Sequence, residues 1–74
     1  MSINKLRDLR ISKGFSQLEV AAKIGKNDLF ISKIETNKIE MKLNEAAHLA
    51  YVYEVSLDDI YVASKSKSEK FNKV

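Results

Sequence analysis

The sequence lacks cysteine and proline altogether and contains only two glycines. Without cysteine, the chain has neither a disulfide nor a thiolate metal site, so its core or a partner must supply the stability, and a reducing compartment suits it. Without proline, and with many Lys, Glu, Leu, Ala and Ile residues, little interrupts helix formation. The composition therefore predicts helices that are separated at Gly14 and Gly25.

Long apolar runs are missing as well. The most apolar stretch, residues 46–53, is interrupted by His48 and is far shorter than the ~20 residues of a membrane-spanning helix. The N-terminus shows no apolar run of the kind found in secretory signals. Because 74 residues leave room for one small core, we expect a single soluble domain in the cytoplasm, without a membrane partner.

Positive charge in excess, the usual mark of nucleic-acid binding, is confined to one end of the chain. Thirteen basic and ten acidic residues give a net charge of +3, yet residues 1–63 contain nine of each. Composition alone therefore does not predict that this part binds DNA. Residues 64–74, in which Lys and Ser alternate at first, read as a basic, flexible tail. Alternatively, the lysines of this tail add contacts to DNA phosphates.

Capping signals divide residues 1–63 into five helices. Ser2 is the expected cap of the first helix, which runs to about Lys13. The later helices are expected at about 16–24 behind a Ser16–Glu19 capping box, at about 28–35 behind Asn27, at about 43–53, and after a second capping box formed by Ser56 and Asp59. Apolar residues that should face the core are Leu6, Leu9, Val20, Ala21, Ile24, Ile31 and Ile34. The fourth helix is apolar over much of its circumference and should lie centrally, through Leu43, Ala46, Ala47, Leu49, Ala50, Val52 and Tyr53.

Five short motifs follow one another along the chain in a characteristic order and spacing. They are Leu6-Arg7-Asp8-Leu9-Arg10, Gly14-Phe15-Ser16-Gln17, Ile24-Gly25, Ile31-Ser32-Lys33-Ile34-Glu35 and Val55-Ser56-Leu57-Asp58-Asp59-Ile60. Over about residues 3–61 the chain resembles the lambda-repressor-like, Xre/Cro-type family of helix-turn-helix proteins. The resemblance implies a compact, all-α, five-helix DNA-binding domain. It also implies a transcriptional regulator of phage, plasmid or mobile-element type that acts as a homodimer on an operator in double-stranded DNA.

The resemblance also assigns roles to individual residues. In this family the third helix lies in the major groove and the second helix straddles the DNA backbone. The implied DNA-binding set comprises Gln17 for a phosphate or base, Asp28, Leu29, Ser32 and Lys33 facing the bases, Phe30 beside them, and Asn37 and Lys38 in a loop along the sugar-phosphate backbone. We add Lys26 and Asn27 in the turn, although Lys26 replaces the apolar residue usual there, because it is expected to form a modest basic strip with Lys33 and Lys38. Arg10 and Glu35 match a structural ion pair that joins the first and third helices.

The outer residues of the third helix leave a second interpretation open. Asp28, Leu29 and Phe30 stand where a DNA-reading helix normally presents polar or basic groups, although carboxylates can bind cytosine and apolar groups can touch thymine methyls. Exposed apolar residues beside an acidic one are also typical of protein-binding surfaces. The alternative is an antirepressor that docks on a second repressor, with Asp28, Glu19 or Glu40 meeting basic groups of that partner.

No group of residues points to catalysis or to a metal. His48 is isolated and is best interpreted as a packing or surface histidine. Asp58 and Asp59 complement the dipole of the fifth helix. We therefore expect no enzyme, no cofactor and no small-molecule substrate. The tyrosines are expected in the core or in a dimer interface, and the surface suggested for that interface contains Tyr61, Val62 and Phe71.

Overall fold

Five helices follow one another in the computed structural model, which describes residues 3–68. They are α1 (Lys5–Ser12), α2 (Gln17–Lys23), α3 (Asp28–Glu35), α4 (Leu43–Tyr53) and α5 (Leu57–Lys65). Across residues 3–68, extended backbone pairing is limited to one antiparallel bridge between Asn4 and Lys67. None of the helices in this part of the chain has the length and hydropathy needed to cross a membrane. The predicted all-α fold with five helices is confirmed.

Two predicted capping boxes start helices. The Ser16 hydroxyl accepts a hydrogen bond from the Glu19 N–H at 3.0 Å, while the Glu19 carboxylate accepts one from the Ser16 N–H at 2.7 Å. Ser56 and Asp59 repeat this reciprocal pattern at α5. The Asn27 side chain caps α3, as its sequence position indicated. Local chemistry therefore fixes where three of the five helices begin.

The start of α1 differs from the prediction. Asn4 is the cap, and its side-chain oxygen accepts a hydrogen bond from the Leu6 N–H at 3.0 Å. The predicted cap, Ser2, lies outside the described residues. Asn and Ser are both good caps, and Asn4 is held in this role by tertiary contacts that no local pattern shows.

The core is built from one side of each helix. α1 packs against both α3 and α5, α2 packs against α3, and α4 packs against α5. The buried apolar residues are Leu6, Val20, Ala21, Ile31, Ile34, Ala46, Leu49, Ala50, Tyr53, Ile60 and Ala63, with Leu9 and Ile24 partly buried against them. The inward-facing residues that the sequence indicated for α1, α2 and α3 are thus confirmed.

Helix α4 is less enclosed than its composition suggested. Leu43 is 63% exposed and Tyr51 is 86% exposed, and Ala47 between them is exposed too. These three residues are spaced four apart, so they share one side of the helix. The expectation that α4 is buried around most of its circumference was therefore wrong. Of the two tyrosines on α4, Tyr53 is a core residue at 1% exposure and Tyr51 is not.

The boundary at residue 64 also needs correction. Helix α5 continues to Lys65, and the chain then turns back along the start of α1. The Lys5 N–H donates to the Ser66 carbonyl at 2.9 Å, and the Ser68 N–H donates to the Ile3 carbonyl at 2.7 Å. Residues 64–68 are therefore packed onto the domain, because these backbone groups find partners there. Residues 69–74 lie outside the described part of the chain.

Candidate nucleic-acid interface

Helices α2 and α3 meet across a tight turn. Val20 and Ala21 of α2 are completely buried, as is Ile31 of α3, so the two helices share apolar packing. Gly25 lies in the turn with φ of +71°, a conformation that L-residues other than glycine rarely adopt. The turn, the Asn27 cap and the buried side chains together fix the direction in which α3 projects.

The outer side of α3 is only partly open to solvent. Asp28 and Leu29 are exposed, the latter by 55%, whereas Ser32 and Lys33 are half-buried. Phe30 packs against the core and is also half-buried. The sequence-predicted residues on α3 therefore divide into an exposed pair at the start of the helix and a more sheltered pair one turn later. A partner would first meet Asp28 and Leu29.

Lys26 is bound to the rest of the fold. Its ammonium lies 3.0 Å from Oε2 of Glu45 and 5.1 Å from the centre of the Phe30 ring. A hydrogen bond from the Lys42 backbone N–H lowers the pKa of Glu45, and Lys26 lowers it further against the opposing effect of burial. Lys26 thus joins the turn to α4 and covers Phe30. Its charge is already compensated within the domain, so it adds little to a basic surface.

A buried polar network lies behind the start of α2. The Arg10 Nε is 2.7 Å from Oε2 of Glu35, and a second Arg10 nitrogen is 3.2 Å from Oε1. A further Arg10 N–H donates to the Phe15 carbonyl at 2.9 Å. The ion pair expected from the sequence is therefore present, with the forked geometry that strengthens arginine–carboxylate pairing.

Gln17 belongs to the same network. Its side-chain amide donates to Oε1 of Glu35 at 3.3 Å, and the residue is half-buried. The amide is thus attached to the ion pair that links α1 with α3. One N–H and the carbonyl oxygen of this amide have no role in that bond and are chemically suited to a phosphate or a base edge.

The loop after α3 is held in place by Asn4, which the sequence analysis did not identify as a site residue. The Asn4 side-chain N–H groups donate to the Ile34 carbonyl at 2.7 Å and to the Asn37 side chain at 3.1 Å. Asn37 itself adopts a left-handed conformation with φ of +59°. The sequence signal for Asn4 is its position before a helix, which predicts a cap but not this contact.

The remaining predicted residues of the loop are exposed. The Lys38 N–H donates to the Lys33 carbonyl at 2.8 Å, which closes the end of α3. Asn37 and Lys38 are both exposed. Glu19, near the start of α2, is exposed too, and its hydrogen bonds with Ser16 lower the pKa of its carboxyl group. The motif thus carries one cation, Lys38, just beyond α3 and a carboxylate, Glu19, at the start of α2.

The arrangement of α2, the turn and α3 agrees with a sequence comparison. A family model described as helix-turn-helix matches residues 6–60. The chain belongs to the lambda-repressor/Xre-type helix-turn-helix family. This family consists of DNA-binding transcriptional regulators and is not enzymatic. No curated protein matches the sequence.

Other chemistry finds little support in residues 3–68. Within this range no group of three or more His, Cys, Asp or Glu side chains is placed to hold a metal ion. His48 is exposed on α4. It is therefore a surface histidine and not a packing residue. The candidate site is the helix-turn-helix segment, which lies within the residues matched by the family model.

Proposed function

We propose that this helix-turn-helix protein is a sequence-specific transcriptional regulator of phage, plasmid or mobile-element type, which binds an operator near its own gene in the bacterial cytoplasm. The observation that carries the proposal is the position of α3. Its inner residues are buried in the core, its start is capped by Asn27, and Asp28 and Leu29 project into solvent. A rigid helix with an exposed outer side is what major-groove binding requires.

The outer residues offer specific chemistry to base pairs. The Asp28 carboxylate can accept a hydrogen bond from the cytosine amino group, and the Leu29 side chain can contact a thymine methyl group. Lys33 can donate to a guanine or to a phosphate. We infer that Gln17 and the first N–H groups of α2 bind a phosphate, because that helix end carries a partial positive charge.

A homodimer is part of this proposal. One copy offers few base contacts and a nearly neutral domain, so a single half-site would be bound weakly. Two copies on a two-fold symmetric operator would place their α3 helices about 34 Å apart, and each bound half would raise the effective concentration of the other. No cofactor is required for such binding.

The test is a fluorescence-anisotropy titration against DNA from upstream of the gene, at near-physiological salt. The unaltered protein should bind in the presence of competitor DNA, and Gln17→Ala and Lys33→Ala should weaken binding. Lys13→Ala, which removes an exposed lysine at the end of α1, is the matched control and should bind normally. Equal affinity in all four proteins would show that α2 and α3 do not form the DNA interface.

A second candidate function rests on exposed leucines. Leu18 of α2 is 65% exposed and Leu29 of α3 is 55% exposed, beside the acidic Asp28. We infer that an antirepressor could use these residues to bind the basic DNA-binding surface of a second repressor. Phe30 contributes less to this candidate than the sequence indicated, because its ring is covered by Lys26.

The two candidates are separated by adding the product of the adjacent gene to the same titration. An antirepressor would bind no DNA alone but would lower the DNA affinity of that neighbour, and Leu29→Ala would abolish the effect. A DNA-binding regulator would bind by itself, and the neighbour would not be needed. Thermal unfolding of Leu29→Ala should match the unaltered protein, since the residue lies outside the core.

A further inference from the structure

Asn4 is a buried polar residue whose side chain is held by backbone groups of two helices. The residue is 1% exposed. Its side-chain oxygen accepts from the Leu6 N–H at 3.0 Å, and its side-chain nitrogen donates to the Ile34 carbonyl at 2.7 Å. Its backbone N–H donates to the Glu35 carbonyl at 2.9 Å. Asn4 is therefore attached both to the start of α1 and to the end of α3, and its side chain has one orientation.

These contacts fix which atom of Asn4 faces the loop after α3. A backbone N–H can only donate and a backbone carbonyl can only accept, so the contacts with Leu6 and Ile34 identify the oxygen and the nitrogen of the Asn4 amide. The nitrogen also lies 3.1 Å from Oδ1 of Asn37. Because Asn4 offers an N–H at this point, Asn37 must present its oxygen. Two backbone groups thus determine the orientation of the Asn37 amide.

The orientation of Asn37 decides what the loop offers to a partner. With the oxygen bonded to Asn4, the two N–H donors of the amide lie on the other branch of the side chain, and the residue is exposed. Lys38, the next residue, is exposed as well. The family resemblance places this loop along the sugar-phosphate backbone, where an amide N–H and an ammonium group are both suited to phosphate oxygens.

We propose that Asn4 is a positioning residue for DNA binding, which turns the Asn37 amide so that its N–H groups face a phosphate of the DNA backbone. Asn4 is buried and acts through Asn37 without touching DNA. Because Asn4 also binds the end of α3, it holds the loop in a fixed position relative to that helix, and less conformational freedom is lost on binding. The proposal rests on the proposed function, in which α3 lies in the major groove.

The test is a double-mutant cycle on the DNA affinity of the full chain, measured by the same anisotropy titration. Asn4→Ser retains a good helix cap but removes the N–H groups that reach Ile34 and Asn37. Asn37→Gly suits the left-handed backbone, with φ of +59°, and removes the amide. Each variant should weaken binding about three- to tenfold, as expected for the loss of one hydrogen bond. In the Asn37→Gly background, Asn4→Ser should weaken binding by less than about twofold further.

Two controls separate positioning from stability and from charge. Ser56→Ala removes the side-chain cap of α5 and so lowers stability, but it should leave DNA affinity unchanged. Lys38→Ala should make the slope of log affinity against log salt concentration less steep by about 1, whereas Asn4→Ser should not change the slope, because it removes no charge. Thermal unfolding of each variant gives a temperature at which all of them are folded.

Three results would overturn the proposal. Equal losses from Asn4→Ser with and without the Asn37 amide would mean that Asn4 acts only through the fold. Unchanged affinity in Asn4→Ser would exclude a positioning role, while a loss in Gln17→Ala would leave the proposed function intact. If the unaltered protein binds no DNA, the proposed function fails and the role of Asn4 fails with it.

Discussion

The two sides of α3 differ sharply in how much the fold determines them. On the inner side, Ile31 and Glu35 are at most 1% exposed, and Glu35 accepts hydrogen bonds from α1 and α2. On the outer side, Leu29 is 55% exposed, and Asp28 is an exposed carboxylate in the first turn, where its charge complements the helix dipole. One short helix therefore carries a side whose residues determine folding and a side whose residues are available for recognition. Substitutions on the two sides should have separable effects.

The largest effect is expected from Glu35→Ala on the inner side. The variant leaves the Arg10 guanidinium buried without its carboxylate, which should lower the free energy of unfolding by about 3–5 kcal/mol. Urea denaturation followed by circular dichroism measures this loss. Glu40→Ala, which removes an exposed carboxylate in the loop after α3, is the matched control and should change stability by less than about 0.5 kcal/mol. Similar losses in both variants would contradict the inner role of Glu35.

A smaller effect is expected at the turn that sets the direction of α3. Gly25→Ala keeps φ at +71°, and the added Cβ would meet no atom within 4 Å, so the cost is conformational and amounts to about 1–2 kcal/mol. Thermal unfolding measures it. Glu54 occupies a left-handed position without being glycine, with φ of +59°. Glu54→Gly should therefore be stabilising by up to about 1 kcal/mol, and a loss of stability there would refute the conformational explanation.

An effect of about 1 kcal/mol is expected from Glu45→Gln, and it should depend on pH. The Lys42 N–H and Lys26 lower the pKa of Glu45 in the folded state. The carboxylate therefore contributes stability that is complete above its unfolded-state pKa and is lost as the pH falls through the folded-state pKa.

Urea denaturation across the acidic range checks this prediction. The unaltered protein should be more stable than Glu45→Gln at neutral pH, and the difference should shrink as the pH falls. Asp58→Asn, a change at an exposed carboxylate, serves as control. A difference that stays constant with pH would mean that the charge of Glu45 is unimportant and that only its shape matters.

The smallest effect on stability, with the clearest effect on binding, is expected from Lys33→Ala on the outer side. Its stability should change by less than about 0.5 kcal/mol, because Lys33 is not one of the residues that form the core. If Lys33 binds a phosphate, the slope of log affinity against log salt concentration should become less steep by about 1. DNA titrations at several salt concentrations measure this slope. A large loss of stability with unchanged binding would assign Lys33 to the inner side.

Local sequence patterns were most informative where the neighbouring residues decide the structure. The Ser16–Glu19 and Ser56–Asp59 capping boxes, and the glycine at the turn, could be located because their partners lie three residues away or because φ alone selects the residue. The Arg10–Glu35 pair was expected from the family resemblance, since its members are 25 residues apart. The exposure of Tyr51 could not be predicted, because composition does not say which side of α4 has a neighbour.

The sequence by itself determined the five helices, the caps of α2, α3 and α5, the helix-turn-helix segment and the all-α fold, because periodicity and capping act within a few residues. Only the tertiary structure decided that Glu35 binds Gln17, that Lys26 pairs with Glu45, and that Asn4 reaches Asn37. It alone also decided that residues 64–68 return to the start of α1. These contacts join residues that are 18 or more positions apart along the chain, and their geometry follows from how the helices pack and not from any local pattern.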